Sequence, residues 1–194
     1  MGSIYESSEG VPLTAVTLLI GGARSGKSGL ALEIARRWQK AVTFIATAEA
    51  RDEEMTKRIA QHQAERDPAW TTLEAPIEVA EAISNTPEEN LIIVDCLTLW
   101  VSNLFDRGIE GEAEARAHEA STALGGRPSP SLVITNEVGS GIVPDNPAAR
   151  AYRDLLGSIN SIFAADSREV LLVAAGRVSP MKKPEEVIDD VLDR

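Results

Sequence analysis

The chain has 194 residues, a formal net charge of −11 and a pI near 4.7, long enough for one domain with a sizeable core. That acidity excludes a nucleic-acid binder, whose phosphate-facing surface must be basic, and favours small-molecule partners. A lone cysteine, Cys96, excludes an internal disulfide, and the lack of a signal peptide or long apolar span points to a cytoplasmic protein without a membrane span.

Residues 1–13 are polar and turn-prone and read as a loose leader, so a single catalytic domain is expected over 14–194. The apolar run AVTLLI at 15–20 then leads into GGARSGKS at 21–28. This is the pattern G-x-x-x-x-G-K-[ST], in which backbone N–H groups of Gly21, Gly22, Ala23, Arg24, Ser25 and Gly26 wrap phosphates. Lys27 reaches the β/γ oxygens and the Ser28 hydroxyl binds Mg²⁺. Gly21 and Gly26 are expected at positive φ, where a Cβ would intrude. Helical spacing of Leu30, Ile34 and Trp38 completes the strand, loop and helix that the motif requires.

Further short apolar runs follow at 42–47, 91–95, 132–136 and 169–176, with another short strand possible at 71–76. Their continuous character suits strands buried on both faces. Helical spacing occupies 27–39, 52–66, 77–86, 96–122 and 147–166, with 107–129 the least specified stretch. Strand alternating with helix predicts an α/β fold, a mostly parallel sheet with helices on both faces. Ligands of such sheets bind at the carboxyl ends of the strands. Asp95, after LIIV, therefore sits where an acid would hold Mg²⁺, or else caps the next helix. Thr47 ends the second strand, and Asn136 and Glu137 end the fourth. They open a shaped loop, NEVGSGIVP at 136–144, that is expected to contact ligand.

Two histidines occur. His118, in an alanine- and glutamate-rich helix, reads as solvated surface. His62 shares a helix face with Arg58 and Arg66 at spacing four, a stripe suited to phosphate through guanidinium forks and a nucleophilic imidazole. Met55 and Ile59 share a face with it too, and so a histidine at the edge of the core fits the spacing equally well.

Taken together, GGARSGKS, FIATAEARDEEMTKRIAQHQAERDPAWTTLEAP, IIVDCLTLWVSNL and TNEVGSGIVPDNPAARAYRDLLGSIN resemble the bifunctional adenosylcobinamide kinase and adenosylcobinamide-phosphate guanylyltransferase of cobalamin biosynthesis. The similarity runs in order from about residue 15 to residue 178. It implies a RecA-like P-loop NTPase fold, a homotrimer, a corrinoid substrate, and GTP and ATP as nucleotide substrates. The implied reactions are phosphorylation of adenosylcobinamide by an NTP, then transfer of GMP from GTP, through a histidine-linked GMP, to give adenosylcobinamide-GDP. By position, His62 corresponds to the guanylylated histidine. Guanine-nucleotide contacts are implied at Ala46, Thr47 and Ala48, at Gln63, Ala64, Glu65 and Arg66, at Glu74 and at Asp95. Some relatives carry two adjacent histidines where this chain has Gln61 and His62. Two other readings of the P-loop remain, another small-molecule kinase or a GTP-binding switch. The switch lacks an Asn-Lys-x-Asp segment to read guanine.

Overall fold

The computed structural model describes residues 15–192, so the leader expected at 1–13 lies outside the described residues. Seven strands form one sheet: β1 Val16–Gly21, β2 Val42–Ala46, β3 Thr71–Glu74, β4 Leu91–Asp95, β5 Ser131–Asn136, β6 Glu169–Ala174 and β7 Arg177–Pro180. Their order is β3-β2-β4-β5-β1-β6-β7, parallel throughout except for β7 against β6.

Consecutive side chains of a strand point to opposite faces, which is why the central strands read as unbroken apolar runs. Leu18 and Leu19 are both fully buried, yet they enter separate cores. On one face, α3 (Val79–Ser84), α4 (Leu97–Asp106), α5 (Ala113–Gly125) and α6 (Pro147–Asp166) pack around Trp100, Leu156 and Phe163. On the other, α1 (Lys27–Arg37) lays Ala31, Leu32 and Ala35 on Phe44, Leu91 and Ile93. Helix α2 (Glu53–Ala64) differs from these, having no buried residue at all. A last helix, α7, spans Pro184–Leu192.

Two expectations need correction. The helix expected over 96–122 is broken: α4 stops at Asp106, Gly108 takes φ +66°, and a 3-10 turn at Glu110–Glu112 leads into α5. Helical periodicity on both sides of Gly108 concealed that break. The strand expected over 169–176 ends at Ala174, because Ala175 and Gly176 both have positive φ and form a tight hairpin turn. That turn starts β7, which sequence patterning did not show. Nor did it show α7.

Candidate active site

The tight edge of the site is the junction of β1 and α1. Gly21 has φ +156°, and a Cβ there would lie 2.1 Å from the Val173 carbonyl oxygen of β6. The glycine is thus demanded by the neighbouring strand. Gly26, φ +108°, forms the N-cap of α1. No side chain caps this helix and its first turn holds no acid, so its free amides and the positive end of its dipole are turned to an anion. Lys27 Nζ donates to the Gly21 carbonyl at 2.9 Å, the Gly22 carbonyl at 2.7 Å and Ser25 Oγ at 3.3 Å. Burial lowers its pKa, against the pull of the Asp95 charge.

The floor comes from the ends of three adjacent strands. Ala46 of β2 is in register with Glu74 of β3 on one side and Asp95 of β4 on the other. Burial pushes the Asp95 carboxyl up, while the charges of His62, Arg66, Lys27 and Arg58 hold it down. Five ionisable groups, from β4, α1, α2 and the segment just after α2, therefore converge here. Thr47 is fully buried and joins two strand ends: its Oγ1 donates to the Cys96 carbonyl and accepts from the Cys96 N–H, both at 2.8 Å. Burial beside Asp95 pushes the Cys96 thiol up to about 12.

Helix α2 forms the opposite wall. Asp52 caps it by accepting from the Met55 N–H at 2.7 Å, and Arg36 of α1 ties its far end by donating to the Glu65 carbonyl at 2.8 Å. The Arg66 guanidinium lies 3.7 Å from the centre of the Phe44 ring. Ahead of the helix, Arg107 donates to Glu49 at 2.6 and 3.0 Å and Arg51 donates to it at 2.8 Å. Those bonds hold the Glu49 carboxyl down at about 2. Arg51 also pairs with Asp106 and donates to Asn103 Oδ1 at 2.7 Å. Asn103 is itself buried and donates to the Thr47 and Pro76 carbonyls at 2.7 and 2.9 Å.

These walls enclose a cleft of about 310 Å³. Ala23, Arg24, Ser25, Gly26, Lys27 and Ser28 line it from the loop. Ala46, Ala48, Glu74 and Asp95 line it from the strand ends, and His62, Gln63, Glu65 and Arg66 from α2 and its exit. Gly21, Gly22, Thr47 and Ala64 do not line it; the first two present carbonyls to Lys27 and the third staples the floor. His62 is 35% exposed, with Nδ1 3.9 Å from Glu65 Oε2. Arg58, Met55 and Ile59 share its side of the cleft, and Asn136 closes the end beside the loop. Gln61 is exposed and outside the cleft, donating at 3.4 Å to Glu65; His118 is exposed, as expected. Leu99 and the Glu49, Asn103 and Arg107 group were missed, because their partners lie 27 to 58 residues away in sequence and no local pattern marks them.

The family model described as cobinamide kinase / cobinamide phosphate guanyltransferase matches residues 17–181, spanning both walls of this cleft. This chain belongs to that family. It is a transferase with a part in cobalamin biosynthesis. It is 39% identical over 170 residues to the Pseudomonas aeruginosa bifunctional adenosylcobalamin biosynthesis protein CobP, covering 85% of this chain and 96% of that one. The Escherichia coli protein CobU of the same description is 36% identical over 173 residues, covering 82% and 95%. Among solved structures, an ATPase of the type III secretion system of pathogenic bacteria aligns with a TM-score of 0.53 at 11% identity, over 92% of this chain and 62% of that one. A Pyrococcus horikoshii protein aligns at 0.54 and 12%, over 90% and 91%. Such likeness concerns the fold, which is the α/β P-loop NTPase arrangement expected from the sequence.

Proposed function

We propose that this chain phosphorylates adenosylcobinamide with an NTP and then transfers GMP from GTP to the resulting phosphate, giving adenosylcobinamide-GDP. The observation that carries the reading is that Lys27 and His62, on opposite walls, line one cleft over Asp95. A nucleotide whose phosphates rest on the loop amides and Lys27 then has its α-phosphorus within the space that His62 borders.

In the kinase step the acceptor hydroxyl oxygen bonds to the γ-phosphorus, the bond to the β-bridging oxygen breaks, the nucleoside diphosphate leaves with that bond's electrons, and the hydroxyl proton passes to solvent. Lys27 and the amides at the start of α1 stabilise charge on the phosphate oxygens, which is most of what phosphoryl transfer asks of a protein. In the transfer step a neutral His62 nitrogen bonds to the α-phosphorus of GTP and pyrophosphate leaves. A phosphate oxygen of the acceptor then attacks the same phosphorus, and the N–P bond breaks with its electrons returning to the imidazole. Arg58 and Arg66 flank this path with charge for the oxygens.

Ser28 and Asp95 offer hard oxygen donors on the same cleft, a set that fits Mg²⁺. When bound, that ion neutralises charge on the β/γ oxygens. The nucleotide-binding roles of residues 21–28, 46–48, 63–66 and 74 rest on their position in the family pattern, and so does assembly as a homotrimer. Among the described residues no helix is long and apolar enough to cross a membrane, which is compatible with work in the cytoplasm on soluble metabolites.

GTP labelled at the α-phosphate, incubated with the protein and Mg²⁺, should leave acid-labile, alkali-stable label on the protein, and γ-labelled GTP should leave none. His62→Ala should abolish the label and guanylyl transfer while keeping kinase activity within a few-fold. Label persisting in that variant, or no label on the wild type with pyrophosphate removed, overturns the histidine route. The latter outcome leaves a kinase alone.

A further inference from the structure

The loop NEVGSGIVP at 136–144, with its continuation to Asn146, has no role in either reaction above. Its first residue, Asn136, lines the cleft. Asn136, which closes the cleft, is in register with Gly21, and its N–H donates to Thr98 Oγ1 at 2.9 Å while its carbonyl accepts from Asn160 at 3.0 Å. The next N–H, that of Glu137, donates to the Gly21 carbonyl at 3.2 Å. The loop is therefore bonded directly to the last residue of β1.

It is also held in shape. The Glu137 carboxylate accepts from the N–H groups of Gly139 and Ser140 at 2.7 and 3.1 Å, and Val138 packs against the core. At the far side Arg150 donates to the Pro144 and Asp145 carbonyls, both at 2.8 Å. Between these anchors the loop presents Ile142, 98% exposed, and Val143, 59% exposed. Ile142 is the most exposed large apolar side chain among the described residues. The anchored loop thus holds two adjacent β-branched apolar side chains out in water, next to Asn136 of the cleft.

The cleft itself, about 310 Å³, is of the size that a nucleotide fills. A corrinoid, whose macrocycle carries a ring of amide side chains and an adenosyl group, is far larger and has to lie on the rim while its aminopropanol arm reaches in. We infer that the segment Gly141–Pro144 is the platform on which the corrin ring rests during both reactions. The inference rests on the proposed function and names where its acceptor binds. The charge of the loop agrees with this occupant: residues 137–146 include Glu137 and Asp145 and no basic residue, and an alkylcobalt(III) corrin carries a positive charge. Ile142 and Val143 contact its apolar edge, and the span from Asn136 to Ile142 is short enough for one ligand to meet both ends.

The test is equilibrium dialysis of the full chain against adenosylcobinamide, read by corrinoid absorbance, alongside steady-state kinetics. Ile142→Ser combined with Val143→Ser should weaken corrinoid binding and raise its KM at least tenfold. The KM for GTP and the α-label on His62, which need no corrinoid, should stay unchanged, and Ile142→Leu should bind as the wild type does. Unchanged corrinoid binding in the double variant overturns the inference while the proposed function stands. A wild type that binds the corrinoid through this loop but does not turn it over overturns the proposed function and not the platform. If the double variant instead changes the molar mass by light scattering with corrinoid binding intact, the loop is a contact between copies of the chain and the inference falls.

Discussion

The phosphate loop and helix α2 face each other across one cleft, but they are held there differently. The loop is fixed between sheet and helix: Gly21 abuts the β6 backbone, Ser25 and Lys27 are buried, and the Ser25 carbonyl accepts from the Gly176 N–H of the hairpin at 2.9 Å. Helix α2 buries no residue; the Arg36 bond to the Glu65 carbonyl ties its far end to α1, and Arg66 just beyond it lies over the Phe44 ring. Apolar burial contributes about 25 cal/mol per Å² and has no preferred direction, whereas hydrogen bonds and ion pairs are weaker in net terms but set angles. The contrast is between a loop built into the core, as the proposed charge stabilisation needs, and a surface helix that the proposed nucleophile needs only to have aimed.

The largest effect should come from the cradle. Lys27→Ala is expected to lower kcat on the order of 10²- to 10³-fold in both reactions, because each develops charge on oxygens that this ammonium faces. A loss confined to the kinase would break the picture of one shared cleft, and separate assays of phosphate transfer and of α-label uptake decide it. A smaller effect is expected where α2 is aimed. Asn103→Ala leaves the Thr47 and Pro76 carbonyls without their side-chain donor and removes one of the acceptors of Arg51, so unfolding free energy should drop by about 1–3 kcal/mol. Guanylyl transfer should fall more than phosphorylation, since Arg51 stands just before Asp52, the cap of α2. Equal losses in the two activities would show that the helix is not placed through this contact. Urea unfolding and paired assays provide both readouts.

The smallest effect concerns pH. Hydrogen bonds from Arg107 and then Arg51 hold Glu49 at about 2 against an ordinary 4.5. A depressed carboxyl stabilises the folded state above its unfolded value, and that contribution is lost as pH falls from 4.5 towards 2. Glu49→Gln should therefore lower the urea midpoint slightly at neutral pH, with the gap to wild type closing over this acid range. The change is small because exposed ion pairs contribute little. A gap that stays constant down to pH 2 would mean that Glu49 acts through packing and not through its charge.

How far the sequence could be read follows the same division. The phosphate loop was legible because it is local: within 21–28 each residue type answers a need of the backbone or of a phosphate, and the flanking strand and helix announce themselves by period. The five short apolar runs became β1, β2, β4, β5 and β6; the first four are buried on both faces and so have no polar face to alternate with, whereas β6, beside the edge strand β7, is largely uncovered and is apolar in sequence all the same. The break at Gly108, the hairpin turn at Ala175 and Gly176, and the short exposed strand β7 were not legible. Each is set by a φ value or an edge position that apolar spacing does not encode.

What the sequence determined alone, then, was a phosphate-binding loop on an α/β sheet and a helix face carrying Arg58, His62 and Arg66. Tertiary structure decided that this face meets the loop across Asp95, that Thr47 braces the floor instead of lining it, and that Glu49, Asn103 and Arg107 bind the segment that leads into the helix. The physical reason is the range of the interactions. Backbone propensity and periodicity act over a few residues and leave a trace in their order, while the bonds that assemble the cleft join groups tens of residues apart and exist only once the strands have been laid side by side.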